Sequence, residues 1–131
     1  MKFIADFHIH SHFSMATSKK LTPEWLDYWA RIKGIKVVGT GDFTHPGWVK
    51  EMREKLESAE DGLFKLKGAY DVMKSESPPF VPPKEGEMVS PRFILTAEIS
   101  SIYKKNGKVR KVHNVVMAPD FETVEKIQQK L

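Results

Sequence analysis

Two short apolar runs near the N-terminus flank a well-delimited helix, and this order restricts the possible fold more than any other feature. The runs cover residues 2–7 and 35–40. Between them, residues 22–24 (Thr-Pro-Glu) are typical of a helix start, with a hydroxyl N-cap, a proline at the first helical position and an acid in the first turn. Gly34 is the expected helix stop. This order predicts a βαβ unit, and therefore parallel strands and an α/β fold.

The rest of the sequence predicts further elements of the same class. A second helix is expected from Pro46 to about residue 59, and a last amphipathic helix after Asp120. Asn106-Gly107 between β-prone runs is a strong β-hairpin signal. Residues 74–91 hold five of the eight prolines and are expected to form a long exposed loop or insertion. Further strands are expected at residues 62–67, 92–97, 99–103 and 109–117.

The composition limits the available chemistry. The chain has 131 residues, 40% apolar and 29% charged, which predicts one globular domain. It contains no cysteine, so a metal would have to be held by imidazole and carboxylate groups. The sequence has neither a bilayer-spanning apolar run nor the features of a signal peptide, and a cytoplasmic protein is expected. The net charge of +4 fits a polyanionic partner without requiring one.

Two histidines directly follow the first apolar run. In residues 6–10 (Asp-Phe-His-Ile-His), strand periodicity points the imidazoles of His8 and His10 the same way, so that they can share one metal ion. They also lie at the carboxyl end of the first predicted strand, where active sites of parallel α/β folds gather. A single His-x-His pair can equally be two histidines that face solvent, so this motif needs support from elsewhere.

Other predicted strands supply that support. Asp42 follows the second strand, Glu98 closes the apolar run 93–95, and His113 lies within the strand expected at 112–116. Buried acids are costly unless they are paired or bound to metal. Imidazole and carboxylate ligands suit Zn, Mn or Fe, and Glu98 could bridge two ions of the kind that hydrolyse phosphoesters by in-line displacement. The predicted metal ligands, which are also the predicted catalytic residues, are His8, His10, Asp42, Glu98 and His113.

Several residues beside these motifs have two interpretations each. His12 either contacts a substrate phosphate or faces water, and His45 either binds metal or phosphate or only starts a helix. Phe43 and Trp48 either stack on a base or pack internally. The basic side chains of the predicted hairpin either follow a phosphate backbone or serve solubility; these are Lys104, Lys105, Lys108, Arg110 and Lys111.

Taken together, the motifs resemble those of the PHP (polymerase and histidinol phosphatase) superfamily. The opening Asp6-x-His8-x-His10-Ser11-x-x-Ser14 resembles the first motif, Gly41-Asp42 with His45 the second, Glu98 the bridging carboxylate of the third, and His113 the histidine that follows. Residues 7–14 and 40–48 look most like the endonuclease Q family, and the resemblance runs over residues 1–131. Archaeal and bacterial members of that family nick DNA 5′ to deaminated bases (hypoxanthine, uracil, xanthine) and abasic sites.

The resemblance implies a distorted seven-stranded β/α barrel with two or three Zn or Mn ions, and DNA as the partner. His8 and His10 would hold the first ion with Glu98 bridging, His113 would join Glu98 on the second, and Asp42 would belong to the third. The superfamily's closing Asp-x-His motif has no counterpart after His113. Residues 1–131 are therefore expected to be the truncated N-terminal part of a PHP domain, with four to five strands and a β-hairpin, fewer metals and uncertain activity.

Three alternatives stay open at this point. The same metals would serve a PHP phosphatase that acts on a small phosphate monoester. An amidohydrolase barrel also opens with His-x-His, but it usually needs a metal-bridging lysine and further histidines that we cannot assign here. A non-catalytic metal-binding or nucleic-acid-binding module is the third.

Overall fold

The computed structural model describes residues 1–75 and 90–131 and has a mixed α/β fold. Most of the proline-rich segment predicted at 74–91 lies outside the described residues. The strands are β1 (Ile4–Asp6), β2 (Ile35–Gly39), β3 (Leu56–Ser58), β4 (Phe64–Leu66), β5 (Arg92–Lys105) and β6 (Lys108–Ala118). The helices are α1 (Pro23–Lys33), α2 (Pro46–Lys55) and α3 (Phe121–Lys130). None of the helices in these described parts of the chain has the length and hydrophobicity of a membrane span.

The strands form one sheet in the order β1-β2-β5-β4-β3, with β6 paired to β5. β1, β2 and β5 are mutually parallel, and β3 and β4 continue the sheet in antiparallel orientation. The parallel pair β1 and β2, joined through α1, confirms the predicted βαβ unit. As a result, the carboxyl ends of three parallel strands lie at the same edge of the sheet.

Both ends of α1 lie where the sequence predicts them. Gly34 has the left-handed conformation (φ 72°), and its N–H donates to the carbonyls of Ala30 and Arg31. Thr22 is at the N-cap position, but its hydroxyl makes no capping hydrogen bond and its buried Oγ1 has no partner among the described residues. The position of the N-cap was therefore predicted correctly, and its interaction was not.

Helix α2 is shorter than predicted. It ends at Lys55, because Leu56 adopts an extended conformation and starts β3. β3 pairs with β4 in register, Leu56 opposite Leu66, and buries both side chains in the core. The pairing and this burial outweigh the helical pattern, so β3 is a strand that the sequence pattern did not predict.

The predicted hairpin forms, but its first strand is much longer than expected. Residues 92–97 and 99–103 were predicted as separate strands, whereas β5 is continuous because every residue from Leu95 to Lys105 pairs with β6. Asn106 and Gly107 both have positive φ (54° and 73°), as a two-residue type I′ turn requires. All residues from 100 to 115 are exposed. We call this projecting part of the hairpin, residues 100–115, the β-arm.

The core lies between the sheet and the helices, with Ala30 of α1, Trp48 of α2 and Val124 of α3 all in one buried cluster. Its largest fully buried side chains include Trp48 and Met52 of α2, Phe93 and Leu95 of β5, and Val124 of α3. The β-arm starts where this core ends.

Candidate metal centre

His8 and His10 lie in the loop after β1, because the strand ends at Asp6 and not at residue 7 as predicted. Their side chains nevertheless face the same group. The two ring centroids are 5.7 Å apart, and both rings approach the carboxylate of Glu98 on β5. The two imidazoles therefore face one site, as predicted. The reason differs from the predicted one, because both histidines lie in a loop and not on a strand.

Glycines let the chain after β2 pass close to this loop. A Cβ atom at Gly39 would lie 2.5 Å from the carbonyl oxygen of Phe7, and one at Gly41 would lie 2.3 Å from that of Ile9. Neither distance is sterically possible, so any other residue at these positions would push the histidine loop away from the sheet. Gly41 also has positive φ (65°), which glycine adopts without strain.

Hydrogen bonds to β5 also fix the segment that follows β2, residues 40–43. Thr96 Oγ1 accepts from the Gly41 N–H (2.9 Å), and the Thr96 carbonyl accepts from the Phe43 N–H (3.2 Å). Thr40 Oγ1 accepts from the Thr96 N–H at 3.1 Å. Asp42, between these contacts, is held at φ 48°. Thr40 and Thr96 are thus structural residues of the site that the sequence motifs did not single out.

Glu98 is the centre of the cluster. Its Oε2 lies 2.5 Å from His8 Nε2 and 3.3 Å from His10 Nε2. His8, His10 and Glu98 each offer one ligand atom, and these three atoms lie within 4.8 Å of one another. The hydrogen bond from His8 lowers the pKa of the Glu98 carboxyl, and the bond from His113 adds to this effect. Glu98 is therefore available as a carboxylate ligand at neutral pH.

His113 reaches the other oxygen of the same carboxylate. Its Nδ1 lies 2.6 Å from Glu98 Oε1. His113 pairs with Ser100 across the β5–β6 ladder, two positions beyond Glu98, so both side chains project from the same face of the hairpin. The carboxylate therefore has His8 and His10 on one oxygen and His113 on the other.

Asp42 contacts the cluster through His10. Its Oδ1 lies 3.1 Å from His10 Nδ1, and Oδ2 accepts from the Ser11 N–H and Oγ (both 2.7 Å) and from Ser14 Oγ (2.6 Å). Burial raises the pKa of Asp42, but the bonds from Ser14 and Ser11 outweigh burial and lower it. A carboxylate on the far nitrogen of an imidazole fixes the tautomer and orientation of a metal-binding histidine. The geometry fits this role better than direct ligation.

These donors fit a divalent metal site. Imidazole nitrogens and one carboxylate, with no thiolate, suit zinc or manganese. A carboxylate that bridges two metal ions needs further ligands beside each of its oxygens. Glu98 meets this condition, with His8 and His10 beside Oε2 and His113 beside Oε1. The structure thus brings three of the predicted ligands, His8, His10 and His113, around the carboxylate of a fourth, Glu98, with Asp42 behind His10.

His12 and His45 lie outside this cluster. His12 Nε2 is 2.8 Å from Glu51 Oε2, a partner on α2 that no sequence motif indicated. His45 is the N-cap of α2, where its Nδ1 accepts from the Gly47 N–H at 3.1 Å. Phe13 lies between the two imidazoles, with ring centroids 4.2 Å from His12 and 4.3 Å from His45. Both histidines stay partly accessible, but each already has a structural partner.

Phe43 and Trp48 are fully buried, with no exposed surface. The Trp48 indole N–H donates to the carbonyl of Gly41 at 2.9 Å. Stacking on a base requires an exposed ring face. The expectation that these two aromatics contact substrate is therefore corrected: they pack in the core and support the loop that carries Asp42.

Comparison with known proteins gives a fold likeness and no family assignment. No family model matches the sequence. An uncharacterized protein of Methanocaldococcus jannaschii is 43% identical over 49 residues, which is 37% of this chain and 6% of that protein.

Two solved structures resemble nearly the whole chain. The lesion-specific endonuclease PfuEndoQ from Pyrococcus furiosus matches 96% of this chain and 24% of its own, with a TM-score of 0.67 and 28% identity. Endonuclease Q in complex with a 27-mer duplex substrate, with an abasic lesion at the active site, matches 96% of this chain and 25% of its own, with a TM-score of 0.66 and 28% identity. The chain thus spans about a quarter of the length of these endonucleases and is similar in fold and sequence to that part of them.

Proposed function

We propose that this chain forms part of a metal-dependent DNA-repair endonuclease of the PHP type, which cuts a phosphodiester bond 5′ to a deaminated base or an abasic site. The position of Glu98 carries the proposal, since its two oxygens face different histidines. A bridging carboxylate of this kind serves two-metal hydrolysis of phosphoesters. The likeness to a lesion-specific endonuclease, and to one bound to duplex DNA with an abasic lesion, supports DNA as the substrate.

Each residue of the cluster has a proposed task. His8, His10 and Glu98 would hold one ion, and Glu98 with His113 a second. Asp42 would orient the His10 ring through the bond to Nδ1. Zinc or manganese ions, two to three in the complete family site, would supply the positive charge that stabilises the attacking and leaving oxygens of the phosphodiester.

Substrate contacts would come from residues around this cluster. His12 and His45 remain proposed phosphate contacts, because the first lies two residues after His10 in the same loop and the second is the N-cap of α2. The β-arm is the proposed contact to more distant phosphates, through Lys104 on the strand that also carries Glu98.

The decisive experiment compares two substrate classes on the same purified chain. Duplexes with a single deoxyinosine, deoxyuridine or abasic site, and para-nitrophenyl phosphate as a small monoester, are incubated with zinc or manganese. We expect a single nick 5′ to the lesion. His8→Ala and Glu98→Gln should lower the nicking rate on the order of a hundredfold or more, because each removes a ligand.

The matched control is Glu57→Gln, an identical chemical change at an exposed position of β3. It should nick like the wild type. Phosphate release from the monoester without nicking would favour a phosphatase and contradict the proposal. Metal binding with neither activity would leave a non-catalytic metal-binding module.

A further inference from the structure

The β-arm has two faces, and the metal cluster shares only one of them. In an antiparallel pair, directly opposed residues project to the same side, and neighbours along a strand project to opposite sides. Glu98 therefore shares its face with Lys104 on β5, and with Lys111 and His113 on β6. The contact between His113 and Glu98 agrees with this assignment. We call this side of the hairpin the site face.

The other basic residues of the β-arm lie on the opposite face. Lys105 and Lys108 oppose each other beside the turn, and Arg110 opposes Tyr103. These positions alternate with those of the site face. The pairing register thus divides a cluster that looks uniform in the sequence into two lysines facing the metal side and three cations facing away.

Lys104 and Lys111 have no acidic partner among residues 1–75 and 90–131, and both are exposed. The residues opposed to them, Val109 and Ile102, are 65% and 67% exposed. Unpaired ammonium groups over accessible apolar surface suit a polyanion that also offers sugar rings. A purely apolar partner would gain nothing from the two lysines.

The spacing along the strands fits a nucleic-acid backbone. With a rise of about 3.3 Å per residue, Lys111, which lies opposite Ile102, is roughly 13 Å along the arm from Glu98, and Lys104 is roughly 20 Å from it. One DNA strand carries a phosphate about every 3.4 Å of helix axis. A DNA strand that follows the arm from Glu98 would bring phosphates about four and about six nucleotides away near Lys111 and Lys104.

We propose that the site face of the β-arm binds the phosphate backbone of the DNA strand that is cut, through Lys111 and Lys104, and that the opposite face does not take part. The identity of the ligand as DNA rests on the proposed function. The division between the faces rests on the strand register alone.

Two double variants with the same charge change test the division. Lys104→Gln with Lys111→Gln alters the site face, and Lys105→Gln with Lys108→Gln alters the opposite face. Equilibrium binding of a short fluorescein-labelled duplex is measured by anisotropy at several salt concentrations. The site-face variant should bind about tenfold more weakly at physiological salt, and its log–log salt slope should be smaller by roughly two, because two phosphate contacts are lost. The opposite-face variant should match the wild type.

Each other outcome contradicts the proposal in its own way. Equal losses in both variants would mean a general charge effect, and a larger loss in the opposite-face variant would reverse the assignment. No binding of DNA by the wild type would overturn it. Binding of polyglutamate with the same face selectivity would assign the face to acidic proteins. The binding assay does not depend on catalysis, so weaker DNA binding by the site-face variant alone would support this inference even if the chain nicks no substrate. If the chain nicks lesion-containing DNA but both variants bind DNA equally well, this inference is wrong and the proposed function is unaffected.

Discussion

Asp27 is a fully buried acid on α1 that lies outside the proposed metal site. Burial raises its pKa to about 6, although the Arg31 guanidinium, with Nε 2.8 Å from Oδ2, acts in the opposite direction. The folded-state pKa is above the unfolded value of 3.8, so between these values the folded state binds more protons. Its contribution to stability is therefore fully present below pH 4 and lost as the pH rises through about 6.

The Asp27→Asn variant should remove this pH dependence. The difference in unfolding free energy between wild type and variant should change by about 2 kcal/mol between pH 4 and pH 7, with the wild type relatively less stable at pH 7. Urea unfolding at several pH values measures it. Asp61→Asn, at an exposed acid, is the control and should follow the wild-type curve. A constant difference across this range would contradict the prediction.

Gly41 and Gly62 allow steric crowding to be separated from backbone strain. Both have positive φ, 65° and 75°, but an added Cβ meets the Ile9 carbonyl at Gly41 and nothing within 4 Å at Gly62. Gly62→Ala should cost about 1 kcal/mol from strain alone. Gly41→Ala should cost clearly more, and it should weaken zinc binding at least tenfold, because the displaced loop carries His10. Zinc titration and urea unfolding check both. Equal zinc affinity in the two variants would show that the close approach is not needed for the site.

The sequence was informative about which titratable residues come together in one cluster, and less informative about which side chains face solvent. His8, His10, Glu98 and His113 could be predicted because metal-binding residue types recur after or within predicted strands. Phe43 and Trp48 stand beside the same motifs, and nothing local distinguishes a base-stacking ring from a core ring. That distinction depends on how α2 packs on the sheet, which is a tertiary property.

Among the elements, those with local signals were predicted well. Gly34 stops α1, and Asn106-Gly107 turns the hairpin, because each conformation depends on a residue that tolerates positive φ. β3 was missed because its extended conformation depends on pairing with β4, and the continuity of β5 was missed because it depends on β6. The local sequence pattern carries no information about which strands pair with each other.

The β-arm should open independently of the sheet, since all its residues are exposed while the first part of β5 is buried. Amides of residues 101–112 should exchange with solvent on the order of a hundredfold faster than those of residues 93–96. Gly107→Ala adds strain of about 1 kcal/mol at positive φ without a steric clash. It should speed exchange in the arm about fivefold and leave residues 93–96 unchanged. Hydrogen exchange read by NMR or mass spectrometry measures both, and uniform acceleration along β5 would contradict local opening.

On the scale of the whole molecule, the cluster around Glu98 joins the loop after β1 to β5 and β6. His8, Glu98 and His113 are far apart in the sequence, so these ligands come together only when the chain folds. A metal that binds the folded state alone stabilises it by about 2.7 kcal/mol at a free concentration a hundred times Kd.

For a chain of this size, that gain should raise Tm by roughly 10 °C. Zinc should produce this shift in the wild type and in Glu57→Gln, and a chelator should reverse it. Glu98→Gln should largely lose the shift, because its amide replaces the carboxylate that links His8 and His10 to His113. Differential scanning calorimetry with and without zinc gives the measurement. An equal shift in Glu98→Gln would mean that zinc binds elsewhere, and then neither the site nor the function built on it could stand.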